Sequence, residues 1–271
     1  MGIYVRFVRF VHAGGVSFGV VEGDAAAGQA GLTVAEIGTL PFEEVRFTGQ
    51  RWALADVRLL APIFSSKVIG IGRNYADHAA ELGNDVPKEP MFFIKPSTSV
   101  IGPNDAIRLP PQSHRVEHEA ELAVVIGATG ARRVDRAGAQ RAIFGYTCGN
   151  DVTARDLQRT DGQWTRAKGF DSFCPLGPWI VTDLDVSDLE VRCEVGRDPQ
   201  NLEVRQLGRT KDMVFDAPAL VSYVSHVMTL LPGDVILTGT PAGVSEIQAG
   251  EIVKVSVQGI GELANPVVAL D

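Results

Sequence analysis

The sequence predicts a β-rich α+β fold. Strand-like apolar stretches outnumber helical patterns along the chain, and the two kinds of pattern do not alternate regularly. Regular alternation would instead indicate a doubly wound parallel sheet. The composition is that of a globular protein, because 45% of the 271 residues are hydrophobic and 21% are charged.

The N-terminal part of the chain predicts small antiparallel strands. Residues 5–11 and 16–21 are strand-like, and the glycines of Ala13-Gly14-Gly15 between them suit a tight hairpin turn. Residues 23–47 are rich in turn formers and only weakly patterned. The prediction here is a β-hairpin followed by irregular chain.

A change in pattern near residues 64–67 predicts a domain boundary. The apolar strand Val68-Ile69-Gly70-Ile71-Gly72 follows it directly. We therefore expect a small β-rich N-terminal domain over residues 1–65 and a second domain over residues 66–271.

The second domain carries further strands and three helices. Strands are predicted at residues 92–94, 117–126, 235–238, 252–257 and 266–270. Helices are predicted at residues 74–82, 135–144 and 216–230, with Asn74, Asp135 and Asp216 as their N-caps. Gly145 ends the second of them. The apolar stripe of the last helix is Leu220, Val221, Val224, Val227 and Met228.

Charge and cysteine content exclude several classes of protein. The net charge is −8 and the chain has no long run of Lys or Arg, so we expect no nucleic-acid partner and no binding to an anionic membrane. No stretch of 18 apolar residues is present, and the N-terminus lacks the apolar core of a signal peptide. Cys148, Cys174 and Cys193 are widely spaced and odd in number, which favours reduced thiols in a cytoplasmic protein.

Glu119 and Glu121 are the strongest local signal for chemistry. On a strand, residues two apart point to the same face, so both carboxylates would project together, and Glu117 extends the row. The apolar run after them predicts burial, where a carboxylate is costly unless it is paired, protonated or bound to a metal. A solvated strand face would give the same pattern.

The segment from Asn150 to Asp156 is the second signal. A third carboxylate from this segment would complete an all-oxygen site, which suits a hard cation such as Mg²⁺ or Mn²⁺. The alternative is the start of a helix, with Asn150 or Asp151 as N-cap and Arg155 paired with a neighbouring acid.

His78 and Glu81 form the third signal. At positions i and i+3 of a helix they lie on one face and can touch. A carboxylate beside an imidazole makes it a better general base, although a surface His–Glu pair is common.

The sequence has no nucleotide-binding motif at its two glycine-containing loops. The loop at residues 238–243 is no P-loop, and residues 70–75 lack the third glycine of a dinucleotide fingerprint.

In their order along the chain, these motifs resemble the fumarylacetoacetate hydrolase family. The resemblance covers about residues 66 to 271, and the N-terminal domain is similar to a small domain that precedes it in many bacterial members. The motifs that carry it are Gly72-Arg73-Asn74-Tyr75-Ala76-Asp77-His78, Phe93-Ile94-Lys95-Pro96, Glu119-x-Glu121-Leu122, Asn150-Asp151-Val152-Thr153-Ala154-Arg155-Asp156 and Thr238-Gly239-Thr240-Pro241.

The resemblance implies a fold, an assembly and a set of site residues. The fold would be a catalytic domain built as a mixed β-roll, and the assembly a homodimer. The implied roles are metal ligands for Mg²⁺ or Mn²⁺ (Glu119, Glu121, Asp151), a catalytic dyad on a lid helix (His78, Glu81), a cation at the developing oxyanion (Lys168) and substrate-binding residues (Arg73, Tyr75, Gln158, Thr240).

The implied activity is that of a metal-dependent enzyme on a small 2-oxo or 2-enol carboxylic acid. The metal would stabilise an enolate. The layout most resembles bacterial members assigned as 2-hydroxyhepta-2,4-diene-1,7-dioate isomerases of aromatic catabolism. The alternatives are an acylpyruvate hydrolase, an oxaloacetate decarboxylase, and a catalytically silent binding protein with the same fold.

Overall fold

The computed structural model describes residues 4–23, 31–81 and 83–270, and the predictions for residues 1–3, 24–30, 82 and 271 lie outside it. The strands of the first half are β1 (Arg6–His12), β2 (Gly15–Glu22), β3 (Thr33–Ile37), β4 (Phe47–Ala53), β5 (Arg58–Leu60), β6 (Val68–Gly72), β7 (Met91–Lys95), β8 (Val100–Ile101), β9 (Ile107–Leu109) and β10 (Val116–Glu117).

The second half adds more strands and most of the helices. The strands are β11 (Ala120–Ile126), β12 (Ile143–Asn150), β13 (Thr153–Ala154), β14 (Cys174–Val181), β15 (Glu190–Gly196), β16 (Glu203–Arg209), β17 (Val235–Leu237), β18 (Ile252–Val257) and β19 (Gly261–Ala269). The helices are α1 (Ala76–Glu81), α2 (Arg136–Ala142), α3 (Arg155–Thr160), α4 (Thr165–Lys168) and α5 (Ala217–Val227). The predicted β-rich α+β fold is confirmed.

The described strands form three sheets. The largest runs in the order β4-β3-β2-β1-β14-β12-β11-β17-β6-β7, with β5 paired to β1 and β8 to β14. A second sheet has the order β16-β15-β18-β19-β9, and β10 pairs with β13 alone. Among the described helices, none is long and apolar enough to cross a membrane.

The N-terminal hairpin is where the sequence places it. β1 pairs with β2 in antiparallel register, with Val11 opposite Val16. β1 also pairs with β14, with Arg6 opposite Val181, so the N-terminal strands extend the sheet of the second part. The division at residues 65 and 66 stays a prediction. Strand β3 falls in the weakly patterned stretch, where pairing with β2 and β4 on both sides stabilises a strand of only five residues.

Helices α1 and α2 differ from their predicted bounds. Helix α1 begins at Ala76 and not at Asn74, because the Asn74 side chain accepts from the Phe215 backbone N–H and donates to the carbonyls of Phe215 and Thr238. Helix α2 is capped by Asp135 as predicted but ends at Ala142, since β12 takes up the chain from residue 143.

Helix α5 keeps its predicted cap and loses part of its predicted stripe. Asp216 accepts a hydrogen bond from the Ala219 backbone N–H, and the helix ends at residue 227 instead of 230. Leu220, Val221 and Val224 are buried in the core as expected. Val227 is 60% exposed and does not belong to the buried face.

The predicted strand over residues 117–126 is two strands with a break. The backbone N–H of His118 donates to the Ser245 carbonyl and that of Glu119 to Asn150 Oδ1, so neither continues a sheet ladder. After the break, every residue of β11 is buried between β12 and β17. The antiparallel register sets Ala120 opposite Asn150, so the start of β11 and the end of β12 meet at one edge of the sheet.

Candidate active site

Three buried carboxylates meet at this edge. Glu121 lies on β11, Glu119 lies in the break before it, and Asp151 follows the last residue of β12. Each offers an oxygen, and these atoms lie within 4.8 Å of one another. The residues are 4%, 1% and 1% exposed for Glu119, Glu121 and Asp151. Carboxylates at this depth require compensation by cations or by protonation.

Two buried lysines contact the triad. Lys168 Nζ lies 2.7 Å from Glu119 Oε2 and 2.7 Å from Asp151 Oδ2. Lys95 Nζ lies 2.5 Å from Asp151 Oδ1. Burial would lower the pKa of Lys168, but Asp151 and Glu119 outweigh it and raise that pKa. Sequence reasoning gave Lys95 no role, although a lysine within the apolar segment of β7 was a signal that it needs a buried anion.

Arg155 is the third buried cation. Its guanidinium donates to Glu117 Oε2 at 2.7 Å, to Glu119 Oε1 at 2.6 Å and to Gln158 Oε1 at 2.5 Å. Burial would raise the pKa of the Glu119 carboxyl, but Lys168 and Arg155 together hold it well below its ordinary value. The alternative interpretation, in which Asn150 or Asp151 caps a helix, is wrong, because α3 starts at Arg155 itself. The pairing of Arg155 with a neighbouring acid, which that alternative included, is confirmed.

Glu121 is the least compensated member of the triad. Its Oε2 accepts the Gly239 backbone N–H at 2.6 Å, and its buried Oε1 has no hydrogen-bond partner among the described residues. Burial raises the pKa of this carboxyl well above its ordinary value, and the charges of Asp151 and Glu119 raise it further. An unpartnered buried carboxylate oxygen beside two other carboxylates fits a hard divalent cation such as Mg²⁺ or Mn²⁺.

His78 and Glu81 touch as their spacing predicts. His78 Nδ1 lies 3.1 Å from Glu81 Oε2, and the other carboxylate oxygen accepts the Gly243 backbone N–H at 3.0 Å. Since an ionised carboxylate only accepts, Nδ1 carries the proton in the neutral ring. Nε2 of this 5% exposed histidine is then the nitrogen with a free lone pair.

A cavity of about 270 Å³ adjoins the triad, with Glu119 in its wall. It is lined by Arg73, Gln158 and Thr240, for which the family resemblance implies substrate binding. Tyr75 does not line it and lies instead on a neighbouring pocket. The full lining is Ile71, Gly72, Arg73, His78, Asn84, Glu119, Arg155, Gln158, Arg159, Trp164, Lys168 and Thr240. Glu121 and Asp151 are buried and are not among the lining residues.

Gln206 supports the cavity wall from behind. Its Oε1 accepts from the Ala120 backbone N–H at 3.0 Å and contacts His118 Nδ1 at 2.8 Å. Its Nε2 donates to Thr240 Oγ1 and to the Pro241 carbonyl, both at 2.7 Å. All four hydrogen-bonding positions of this amide are therefore used. A glutamine on a strand carries no distinctive signal, so sequence reasoning missed it.

Two family models cover nearly the whole chain. The model of the fumarylacetoacetate (FAA) hydrolase C-terminal domain matches residues 67–268. The Rv2993c-like N-terminal model matches residues 5–62.

Two curated relatives resemble this chain over most of its length. Protein Rv2993c of Mycobacterium tuberculosis is 52% identical over 97% of this chain and 98% of its own length. The mitochondrial oxaloacetate tautomerase fahd2 of Xenopus laevis is 43% identical over 79% of this chain and 69% of its own length.

Solved structures also match. The 2-hydroxyhepta-2,4-diene-1,7-dioate isomerase of Mycobacterium marinum is 50% identical, covers 98% of both chains and has a TM-score of 0.89. A fumarylpyruvate hydrolase of Pseudomonas aeruginosa, solved with Mn²⁺ and pyruvate, is 32% identical over 79% of this chain and 92% of its own, with a TM-score of 0.70. On the family models, the identities and the shared fold, this chain belongs to the fumarylacetoacetate hydrolase family.

Proposed function

We propose that the protein is a divalent-metal-dependent isomerase of 2-hydroxyhepta-2,4-diene-1,7-dioate. The observation that carries the proposal is the buried triad with an unpartnered Glu121 Oε1. One of its members, Glu119, lines a cavity whose wall is rich in cations. The name of the Mycobacterium marinum relative supports this choice of substrate.

Glu119, Glu121 and Asp151 are the proposed ligands of Mg²⁺ or Mn²⁺. All three are hard oxygen donors, and three protein ligands leave positions open for a bidentate oxo-acid. When bound, the ion supplies Lewis-acid chemistry that withdraws electrons from the substrate's 2-oxygen. Mn²⁺ in the Pseudomonas aeruginosa relative supports this assignment.

The side chains of the cavity would stabilise charge, orient the substrate and transfer the proton. Lys168 supplies positive charge beside the oxygen on which charge develops, and Gln158 and Thr240 orient the substrate. The isomerisation moves one proton from the enol oxygen to a carbon of the conjugated chain, so no bond between heavy atoms breaks. His78 Nε2 takes up and delivers that proton, while Glu81 holds the ring in the required tautomer.

The test is a spectrophotometric assay with 2-hydroxyhepta-2,4-diene-1,7-dioate, with Mg²⁺ and with a chelator. We expect loss of dienol absorbance that requires the metal, with the product mass unchanged. Loss of absorbance with release of CO₂ would instead show a decarboxylase. No metal-dependent change would remove this substrate from consideration.

Hydrolysis of acylpyruvates is the second candidate. The observation that favours it is the His78–Glu81 hydrogen bond, because the same pair can activate a water molecule for attack on a carbonyl. The fumarylpyruvate hydrolase among the solved relatives supports it. Cleavage of fumarylpyruvate into two acids by this protein, at a higher kcat/KM than the isomerisation, would establish it.

Oxaloacetate is the substrate to test next. The decarboxylase alternative predicts pyruvate and CO₂, whereas the tautomerase name of the Xenopus laevis relative points to enol–keto conversion alone. Bound Mn²⁺ without turnover of any of these acids would favour the silent binding protein.

The homodimer and the cytoplasmic location expected from the sequence stay predictions. Sedimentation equilibrium of the purified protein tests the first: a mass of two chains is expected, and a single chain of 29.0 kDa would contradict it.

A further inference from the structure

We propose that Arg73 and Arg159 bind a second, distal carboxylate of the substrate and make the enzyme selective for dicarboxylic oxo-acids over monocarboxylic ones. The inference rests on the proposed function, since it assumes that the reacting end of an oxo-acid lies at the metal triad.

The cavity wall has more cations than its own acid needs. Arg73, Arg155, Arg159 and Lys168 line it, against the single carboxylate Glu119. A wall with this excess of positive charge favours a ligand with more than one negative charge.

Two of these cations are already committed to the protein. Arg155 donates to Glu117 and Glu119. Lys168 contacts Glu119 and Asp151. These two cations therefore neutralise buried carboxylates.

The other two cations have no such partner. Within residues 4–23, 31–81 and 83–270, neither Arg73 nor Arg159 forms an ion pair or a side-chain hydrogen bond. The acids nearest Arg159 in sequence are engaged elsewhere. Asp156 accepts from Ser113 Oγ and the His114 backbone N–H, and Asp161 accepts from Arg166.

The backbone at Arg73 adds an independent observation. Its φ angle is +57°, a left-handed conformation that costs a residue with a Cβ atom about 1 kcal/mol or more. The following residue, Asn74, fixes the turn through hydrogen bonds to Phe215 and Thr238. The fold therefore holds Arg73 at the cavity in a strained conformation, as is often found for residues at ligand sites.

Arginine is well suited to this task. Its planar guanidinium binds a carboxylate through two parallel hydrogen bonds, which gives orientation as well as affinity. An extended dicarboxylate bound at the triad would present its second carboxylate away from the reacting end, where these free guanidinium groups can receive it.

The experiment compares two saturated analogues that share the same reacting end, 2-oxoheptanedioate and 2-oxoheptanoate. Their affinities for the Mn²⁺-loaded protein are measured by calorimetry for the wild type, Arg73→Gln and Arg159→Gln. We expect the wild type to bind the dioate more tightly than the monoacid. Each variant should bind the dioate about tenfold more weakly than the wild type, because charge-assisted hydrogen bonds are lost. Affinity for the monoacid should change less than about twofold.

The matched control is Arg141→Gln, an exposed arginine on α2 that removes the same charge outside the cavity. It should leave both affinities unchanged, and thermal melting should show that all three variants fold. Equal affinity of the wild type for both acids, or equal weakening of both acids in the variants, would overturn the inference.

The two proposals fail in different ways. If no oxo-acid is turned over but the dioate preference depends on the two arginines, the proposed function fails and the subsite stands. If the dioate is turned over with metal but the preference is absent, the subsite alone is wrong.

Discussion

The three carboxylates of the triad are not equivalent at the level of single residues. Asp151 contacts two lysines, whereas Glu121 contacts no cation and leaves one oxygen unpartnered among the described residues. Removing the charge of Asp151 leaves two buried ammonium groups short of a partner, while removing that of Glu121 relieves repulsion with Glu119 and Asp151.

We therefore predict opposite effects of two isosteric substitutions on the metal-free protein. Asp151→Asn should lower the free energy of unfolding by about 3 kcal/mol, whereas Glu121→Gln should leave it unchanged or raise it. Both should weaken Mn²⁺ binding at least roughly 100-fold, as a charged ligand is lost. Urea unfolding with chelator and calorimetry with Mn²⁺ measure the two effects. Equal destabilisation by both variants would contradict the assigned pairing.

Gln206 allows a second prediction for a single residue. Gln206→Leu leaves His118 Nδ1 and the Ala120 N–H without their partner and removes the hydrogen bond that Thr240 Oγ1 accepts. The free energy of unfolding should therefore fall by about 3 kcal/mol. Because Thr240 lines the cavity, KM should rise more than kcat falls. Gln206→Glu should restore part of the stability, since it still accepts from the first two groups, but not the KM. Gln248→Leu, at an exposed glutamine, is the control, and an unchanged KM in Gln206→Leu would remove the positioning role.

At the level of elements, the sequence predicts best where a pattern is local. The hairpin β1–β2, the caps Asp135 and Asp216 and the contact of His78 with Glu81 each depend on residues a few positions apart. The elements that differ are decided by partners distant in sequence. Asn74 is used by Phe215 and Thr238 instead of capping α1, and the break before β11 is stabilised by Ser245 and Asn150.

The contrast between local patterns and distant contacts also explains which site residues could be predicted from the sequence. The regular spacing of Glu119 and Glu121 is visible in the sequence, and the family motifs assign Asp151 to the same site. Lys95 joins the site because β7, which carries it, lies beside β6 in the sheet. The Lys95 side chain then contacts Asp151, which is 56 positions away in the sequence. Gln206 joins it because β16 and the loop after β17 pack together. Neither contact is visible without the topology.

Helix α1 carries His78, so its stability should affect the site. Gly83, directly after residue 82, has a φ angle of +70° and nothing within 4 Å of a Cβ placed there. Gly83→Ala should therefore cost about 1 kcal/mol in backbone strain alone. Because the strain lies at the end of α1, we expect faster hydrogen exchange of its amides, by roughly fivefold, and a higher KM.

Gly49→Ala is the matched control for this prediction. Gly49 lies on β4 with a φ angle of +89° and equally open space around its Cβ position. It should cost a similar amount of stability and leave both the exchange of α1 and the KM unchanged. If both variants change the KM alike, the effect is global and α1 is not the sensitive element.

At the level of the whole molecule, the two sequence-matched regions share one sheet through the β1–β14 pairing. The same sheet continues through β12, β11 and β17 to β6, and residues of the site follow several of these strands. Global stability and the geometry of the site are therefore coupled through a common scaffold. We therefore expect the two regions to unfold together when the core is disrupted.

The three thiols make that stability depend on alkaline pH. Cys148, Cys174 and Cys193 are free and buried, and burial raises the pKa of the first two to about 12 and that of Cys193 further. In the unfolded chain a thiol ionises near its ordinary value of 9.0. Above that pH the unfolded state loses protons that the native state keeps, so the unfolded state gains stability.

The stabilising contribution is thus complete below pH 9 and is lost as the pH rises toward the raised native values. From pH 8 to pH 10 we expect the free energy of unfolding to fall by about 1.4 kcal/mol for each thiol, or roughly 4 kcal/mol for the three. Urea unfolding at the two pH values measures the fall, and Cys148→Ala and Cys193→Ala should each reduce it by about 1.4 kcal/mol. The fixed cost of each substitution cancels in the difference between the two pH values. If both variants keep the full pH dependence of the wild type, groups other than the buried thiols cause it.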